Sequence, residues 1–255
     1  AWNSMASRSI ARADTASVRA WVRIGGIVLV LAVFILPHLL WRLFDRQSPI
    51  AGLFLALAAK IAGADVRVTG RPIRRNVLYI ANHVSWLDIL TLAGRTRCAF
   101  VAKADMKPWP LIGWLTTSNN TVYVERESRH TAHHQATALQ TALTSGQPVT
   151  LFPEGTTHDG RQLLAFRTSL IAAVTPAPEQ ISIQPVAIDY GAVAADIAWV
   201  GEESFGANAL RVLGRRGRFP VTIHILEPLS HADFADRKAI AAHSRAEIAA
   251  ALGVS

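Results

Sequence analysis

The chain has 255 residues, enough for one α/β domain of ordinary size and an accessory segment. Its residues are 51% hydrophobic and only 17% charged, with a net charge of +8, which points to an anionic membrane surface or acidic substrates. No zinc-finger spacing, RNP-like aromatic motif or Lys-rich tail marks a nucleic-acid binder, and the single cysteine, Cys98, excludes an intrachain disulfide and a thiolate metal cage.

Residues 1–17 are small, polar and dotted with arginine, and read as a flexible tail. Residues 18–64 read as membrane-associated helices. The stretch 25–41 carries no charge, but it falls short of the ~20 residues a comfortable span needs, and Pro37-His38 interrupts it. Arginines flank both sides (Arg19 and Arg23, then Arg42 and Arg46), so the charge pattern gives no orientation. No small-residue cleavage site comes after it, so no cleaved signal peptide is expected. Residues 49–62 form a second apolar helical pattern that Gly63 is suited to stop. A helical pair dipping into one leaflet, both ends cytoplasmic, fits these features. A single transmembrane helix and a buried soluble pair are the alternatives.

Residues 65–255 alternate short strands with helices. Strands are expected at 76–81, 98–102, 121–125, 148–152, 181–189 and 221–226. Helices are expected at 86–93, 108–116, 130–144, 167–174 and 232–252. This order specifies an α/β fold, a mostly parallel mixed sheet flanked by helices. Residues 201–217, rich in Gly, Arg and Glu, read as an irregular surface excursion.

The residues just past each strand carry the chemistry. The first strand ends in Asn82-His83, and Asp88 lies five residues beyond the histidine. On one straight helix that spacing puts two side chains about 140° apart. A strand-to-helix corner between them lets His83 point back at the first helical turn. A carboxylate there would fix the imidazole tautomer and leave the other nitrogen as a general base. Ser85-x-x-Asp88 also matches a capping box, in which Asp88 merely satisfies an orphan amide. The second strand leads into Lys103, the third into Arg126 and the fourth into Phe152-Pro-Glu154-Gly155-Thr156. In an open α/β sheet the functional crevice lies at the carboxyl ends of the strands, so these residues are expected to converge. Lys103 and Arg126 read equally well as solvated charges, and Glu154 as an ordinary turn residue. The Gly155-Thr156 amides are candidate donors to an anion. His130, His133 and His134 have a spacing that suits a metal, but lack carboxylate or thiol partners and read as a solvated face. Trp109 and Trp114 are candidates for core or for lipid contact.

These blocks resemble a known family. Asn82-His83-Val-Ser-Trp-Leu-Asp88 is similar to the N-H-x4-D block of the glycerolipid acyltransferases, typified by bacterial 1-acyl-sn-glycerol-3-phosphate acyltransferase. Thr121 to Arg126, Phe152 to Thr156 and Gln184-Pro185-Val186-Ala187-Ile188 resemble its second, third and fourth blocks, in family order. Asn120 stands where the second block usually opens with glycine. Thr157-His158-Asp159-Gly160 comes after the third block where arginine is often found, which resembles the branch that acylates lyso-ornithine lipid. Arg161 or Arg167 is left to supply the absent charge.

The resemblance implies a membrane-bound O-acyltransferase of the bacterial inner membrane, its catalytic domain on the cytoplasmic face. Acyl carrier protein or coenzyme A would bring the acyl thioester. The expected acceptor is 1-acyl-sn-glycerol-3-phosphate, with lyso-ornithine lipid as the alternative. His83 is the expected base and Asp88 its orienting partner. Asn82, Lys103, Arg126, Glu154, Gly155 and Thr156 are expected to bind substrate, and nothing calls for a metal or other cofactor. Two rivals remain: a hydrolase with Ser85 as nucleophile, although Ser85 lacks the flanking glycines of a nucleophile elbow, and a non-catalytic protein that binds lipid head groups.

Overall fold

A computed structural model describes residues 2–44, 48–103, 121–124, 139–172, 175, 180–230 and 236–254; of residues 2–14, Lys103 and Val124 it gives the backbone only. Seven strands form one sheet in the order β1-β7-β6-β2-β5-β3-β4. They are β1 (Ala64–Thr69), β2 (Val77–Ala81), β3 (Ala99–Lys103), β4 (Val122–Val124), β5 (Val149–Leu151), β6 (Ser182–Asp189) and β7 (Phe219–Ile225). All neighbours are parallel except β6 and β7. The mixed sheet and its helices match the expected fold class. β2 is buried along its whole length, as befits a central strand covered on both faces. The strand missing from the sequence reading is β1, an edge strand whose Asp65 and Arg67 break the apolar run.

The helices sit where local chemistry starts and stops them. α1 spans Trp2–Arg42 and α2 spans Pro49–Ala62. Ser48 Oγ accepts from the Ile50 amide, Pro49 opens α2, and Gly63 at φ 105° closes it in the left-handed conformation. α3 (Leu87–Thr96) packs on α2 at Gly94, where a β-carbon would come within 2.8 Å of the Ala56 backbone. α4 (Phe205–Leu213) lies inside the stretch expected to be irregular. Its glycine-rich sequence hides the helix, which tertiary bonds hold: the Ser204 cap, the Arg211–Glu203 pair at 2.8 Å and buried Asn208 bonded to Trp86 Nε1 at 3.0 Å. α5 (Arg237–Leu252) closes the chain, capped by Asp236.

α1 differs from expectation in two ways. It is helical from Trp2, through the stretch read as a tail, and it continues across Pro37. Residues 15–42 are long and apolar enough to cross a membrane. One face, with Ile24, Ile27, Val30, Leu31 and Phe34, packs on the domain core, whereas Trp21, Val28, Leu29, Val33 and Leu36 on the other are exposed. Arg19 and Arg23 fasten α1 to the end of α4 by donating to the carbonyls of Gly214, Leu213, Arg215 and Gly217. Helix 108–116 and most of helix 130–144, with its histidines and Trp109 and Trp114, fall outside the described residues; residues 139–144 are helical.

Candidate active site

Sheet register builds the site. Ile80 of β2 pairs with Leu151 of β5, so His83 and Glu154 each lie three residues past paired positions on adjacent parallel strands. On the other side of β2, buried Asn82 prolongs the ladder with its side chain. Its Oδ1 accepts from the Ile188 amide at 2.7 Å and its Nδ2 donates to the Ile188 carbonyl at 3.0 Å. Asn82, expected to touch substrate, therefore has its amide engaged on β6. It ends β2 firmly enough that the chain can turn at His83.

The turn does what a straight helix cannot. His83 Nδ1 lies 2.8 Å from Asp88 Oδ2, which also accepts the Val84 and Ser85 amides at 2.7 and 2.9 Å. The capping and dyad readings of Asp88 are both met by one oxygen. Three donors on Oδ2, with Asp88 wholly buried, call for an ionised carboxylate. Nδ1 then carries the proton, and Nε2 presents its lone pair. The imidazole stacks on Phe152 at 4.1 Å between centroids, its side chain 19% exposed. A buried orienting acid, a fixed ring and an accessible nitrogen are the parts of a general base.

Asp88 has a further donor that sequence reasoning missed. Tyr190, just past β6, donates its hydroxyl to Asp88 Oδ1 at 2.6 Å. Burial and the Asp88 charge hold that phenol well above its ordinary range, so it stays protonated. Its only sequence signal was its place directly after a strand, one residue beyond Asp189.

Glu154 is buried and also braces the fold. Oε1 accepts from the His83 amide at 2.8 Å and Oε2 from the Leu164 amide at 3.1 Å. It was expected to bind substrate, but both of its oxygens serve the protein. His158 Nε2 approaches Oε2 at 3.3 Å without hydrogen-bond alignment, an electrostatic contact. His158 Nδ1 accepts from the Gly160 amide at 3.0 Å, and its own amide donates to the His83 carbonyl at 3.1 Å. The Gly155 amide, a candidate anion donor, turns back to the Phe152 carbonyl at 3.1 Å, with Gly155 at φ 73°. Thr156 is exposed beside the turn.

The four residues after Thr156 are tightly folded. Thr157 Oγ1 donates to the Trp199 carbonyl, and Gly160, at φ 78°, lies where a β-carbon would come within 2.6 Å of Ala194 Cβ. Asp159 Oδ1 accepts the Arg161 amide at 2.9 Å, and the exposed Arg161 guanidinium stands 3.9 Å from Oδ2. Arg167 is exposed at the end of this loop.

Lys103 ends β3, beside β5 in the sheet, with only its backbone described; Arg126 lies outside the described residues. Ser85 is fully buried, its Oγ 3.4 Å from the Leu87 amide, which leaves no approach for a substrate carbonyl and removes the basis of the Ser85 hydrolase. Cys98 is buried too, its thiol pushed up to about 11, as suits a core residue and not a nucleophile.

A His–Asp pair thus stands at the carboxyl end of a mixed sheet, and among the described residues no serine is aligned with it. Residues 65–189 match the family model described as Acyltransferase. The chain is 33% identical to a protein of Rhodobacter capsulatus described as a lyso-ornithine lipid O-acyltransferase, over 92% of this chain and 90% of that one. It is 36% identical to a 1-acyl-sn-glycerol-3-phosphate acyltransferase of Neisseria gonorrhoeae, over 49% of each chain. The crystal structure of the 1-acyl-sn-glycerophosphate acyltransferase of Thermotoga maritima shares the fold, with a TM-score of 0.68 at 20% identity over 96% of both chains. The chain belongs to the glycerolipid acyltransferase family, and it is an acyltransferase of the lysolipid type.

Proposed function

We propose that this protein acylates the free hydroxyl of lyso-ornithine lipid. His83 Nε2 takes the proton of that hydroxyl as its oxygen attacks the thioester carbonyl carbon. The C–S bond breaks, the proton passes to the departing thiolate, and an ester and a free thiol leave. Asp88 holds the ring and stabilises the transient imidazolium. Base assistance of this kind is worth about 10²–10⁴ in rate. No covalent enzyme intermediate is needed. The donor is a fatty acyl thioester on acyl carrier protein or coenzyme A. Lys103 and Arg126 are the cations we assign to substrate, with Thr156 at the mouth.

The observation that carries the acceptor is the extent of likeness. The lyso-ornithine relative aligns over nearly the whole chain, whereas the glycerol-phosphate relative aligns over half. It favours lyso-ornithine lipid over the phosphate acceptor that the sequence puts first. The loop agrees: after Gly155-Thr156 it presents the carboxylate of Asp159 where a phosphate site is better served by a cation. An ornithine head group carries an ammonium as well as a carboxylate, and suits a mixed lining.

α1 and α2 serve as the membrane attachment. The face of α1 away from the core is apolar along Val18 to Trp41, while its other face rests on the domain. That disposition supports a helix lying along one leaflet more than a lone span; the leaflet we assign is the cytoplasmic one of the inner membrane.

The test is acyl transfer in mixed micelles, with radiolabelled acyl-carrier-protein and acyl-coenzyme A thioesters offered to both acceptors in parallel. Ester formation on lyso-ornithine lipid supports the proposal. Transfer confined to 1-acyl-sn-glycerol-3-phosphate replaces its acceptor, and thioester hydrolysis without transfer to either sinks it.

A further inference from the structure

We propose that Tyr190 is a positioning residue, which sets the orientation of the Asp88 carboxylate and thereby the basicity of His83. The role in acyl transfer rests on the general-base reading above, but the effect on the imidazole stands independently of it.

The geometry carries the inference. Asp88 Oδ2 is committed to His83 Nδ1 and two amides. Among the described residues the only donor to Oδ1 is the Tyr190 hydroxyl. Both residues are almost fully buried, so water does not readily replace that bond. The carboxylate is thus gripped at both ends, from the turn after β2 and from the end of β6. Asn82 ties the same two elements one step away, through both of its bonds to Ile188. The Tyr190 ring leans on Phe219 of β7 at 6.5 Å, which fixes its direction without using the hydroxyl.

The sign of the effect comes from charge sharing. A hydroxyl donating to Oδ1 draws negative charge from the carboxylate and lowers its pull on the imidazolium. Without that donor, Asp88 holds the His83 proton more strongly, and His83 titrates at higher pH. The carboxylate also gains freedom to rotate, so Nε2 is less well aimed. Among the described residues, the other titratable groups facing the pair come from the loop after β5. Glu154 faces His83 from there through the His83 amide, with His158 beside it, and the uncharged Phe219 of β7 backs Tyr190. The Tyr190 hydroxyl also meets the uncharged Thr91 hydroxyl.

The experiment is a nitrogen-15 histidine NMR titration of the full chain in micelles, wild type against Tyr190→Phe, paired with kcat and KM across pH. The His83 midpoint is expected to rise in Tyr190→Phe. The acid limb of kcat should move the same way, and the plateau should fall about tenfold at unchanged KM. A 3-fluorotyrosine at position 190 keeps the ring and sharpens the donor, and should move the midpoint down. An unmoved midpoint in both variants overturns the proposal, even if Tyr190→Phe lowers the melting temperature, because a merely structural tyrosine does that too. A wild type that transfers no acyl group while its midpoint shifts with position 190 upholds the positioning role and rejects the acyltransfer reading.

Discussion

The turns after β2 and β5 each hold a histidine beside a buried carboxylate, and the two pairs are put to opposite uses. In the first, His83 Nδ1–H donates to Asp88, and the imidazole stacks on Phe152 with no partner on Nε2 among the described residues. In the second, the Gly160 amide occupies Nδ1 of His158, and Nε2 is turned towards Glu154 in a site with little room for solvent. The same two functional groups make the base we propose in one turn and a brace in the other. Burial and the direction of the backbone amides decide which. Glu154 shows the dependence between them: its Oε1 holds the amide of His83 itself, so the brace fixes the backbone of the base.

Asp88→Asn is expected to separate the pairs most sharply. An amide there can still accept from His83 Nδ1 and the two backbone amides through its one oxygen, but it lacks the charge that stabilises the imidazolium, and its NH2 faces the Tyr190 hydroxyl. The kcat should fall about 10²–10⁴-fold in an acyl-transfer assay. Activity within about tenfold of wild type would mean that Asp88 is a cap and no more. Glu154→Gln comes next. One of its ends becomes a donor facing the amide of His83 or of Leu164, and a buried amide is left unsatisfied. Unfolding in urea should show a loss of about 1–3 kcal/mol, with a smaller drop in kcat than Asp88→Asn gives. If stability is unchanged while transfer collapses, Glu154 touches substrate after all. Ser85→Ala is the smallest: about 0.5–1 kcal/mol from the lost contact with the Leu87 amide, and kcat within about threefold. Abolished turnover in that variant would revive the hydrolase.

Much of this arrangement was legible in the sequence. β2, β3, β5 and β6 are short apolar runs bounded by polar residues, and their period and length identify them without tertiary knowledge. The dyad was legible because a strand end, an Asn-His pair and a helix start fall within seven residues. What was hidden depends on partners far along the chain. The roles of Asn82 and Glu154 are fixed by Ile188, Leu164 and the register of β2 with β5, none of which is local. Tyr190 lies 102 residues from Asp88. α4 was missed because Gly206 and Gly214 argue against a helix, and its support comes from Glu203, Trp86 and the arginines of α1. α1 passes through Pro37, although proline removes a backbone bond from a helix, and its packing on the core lies N-terminal to that point, at Ile24 to Phe34.

The contrast between the two histidines comes down to one comparison. Single-turnover acyl transfer should be measured for wild type, His83→Ala and His158→Ala in the same micelles. We expect a loss of about 10²–10⁴-fold for His83→Ala, and less than about tenfold for His158→Ala, accompanied by a lower melting temperature. Transfer that survives in His83→Ala, or losses of equal size in folded samples of both variants, would contradict the assignment of the base to His83.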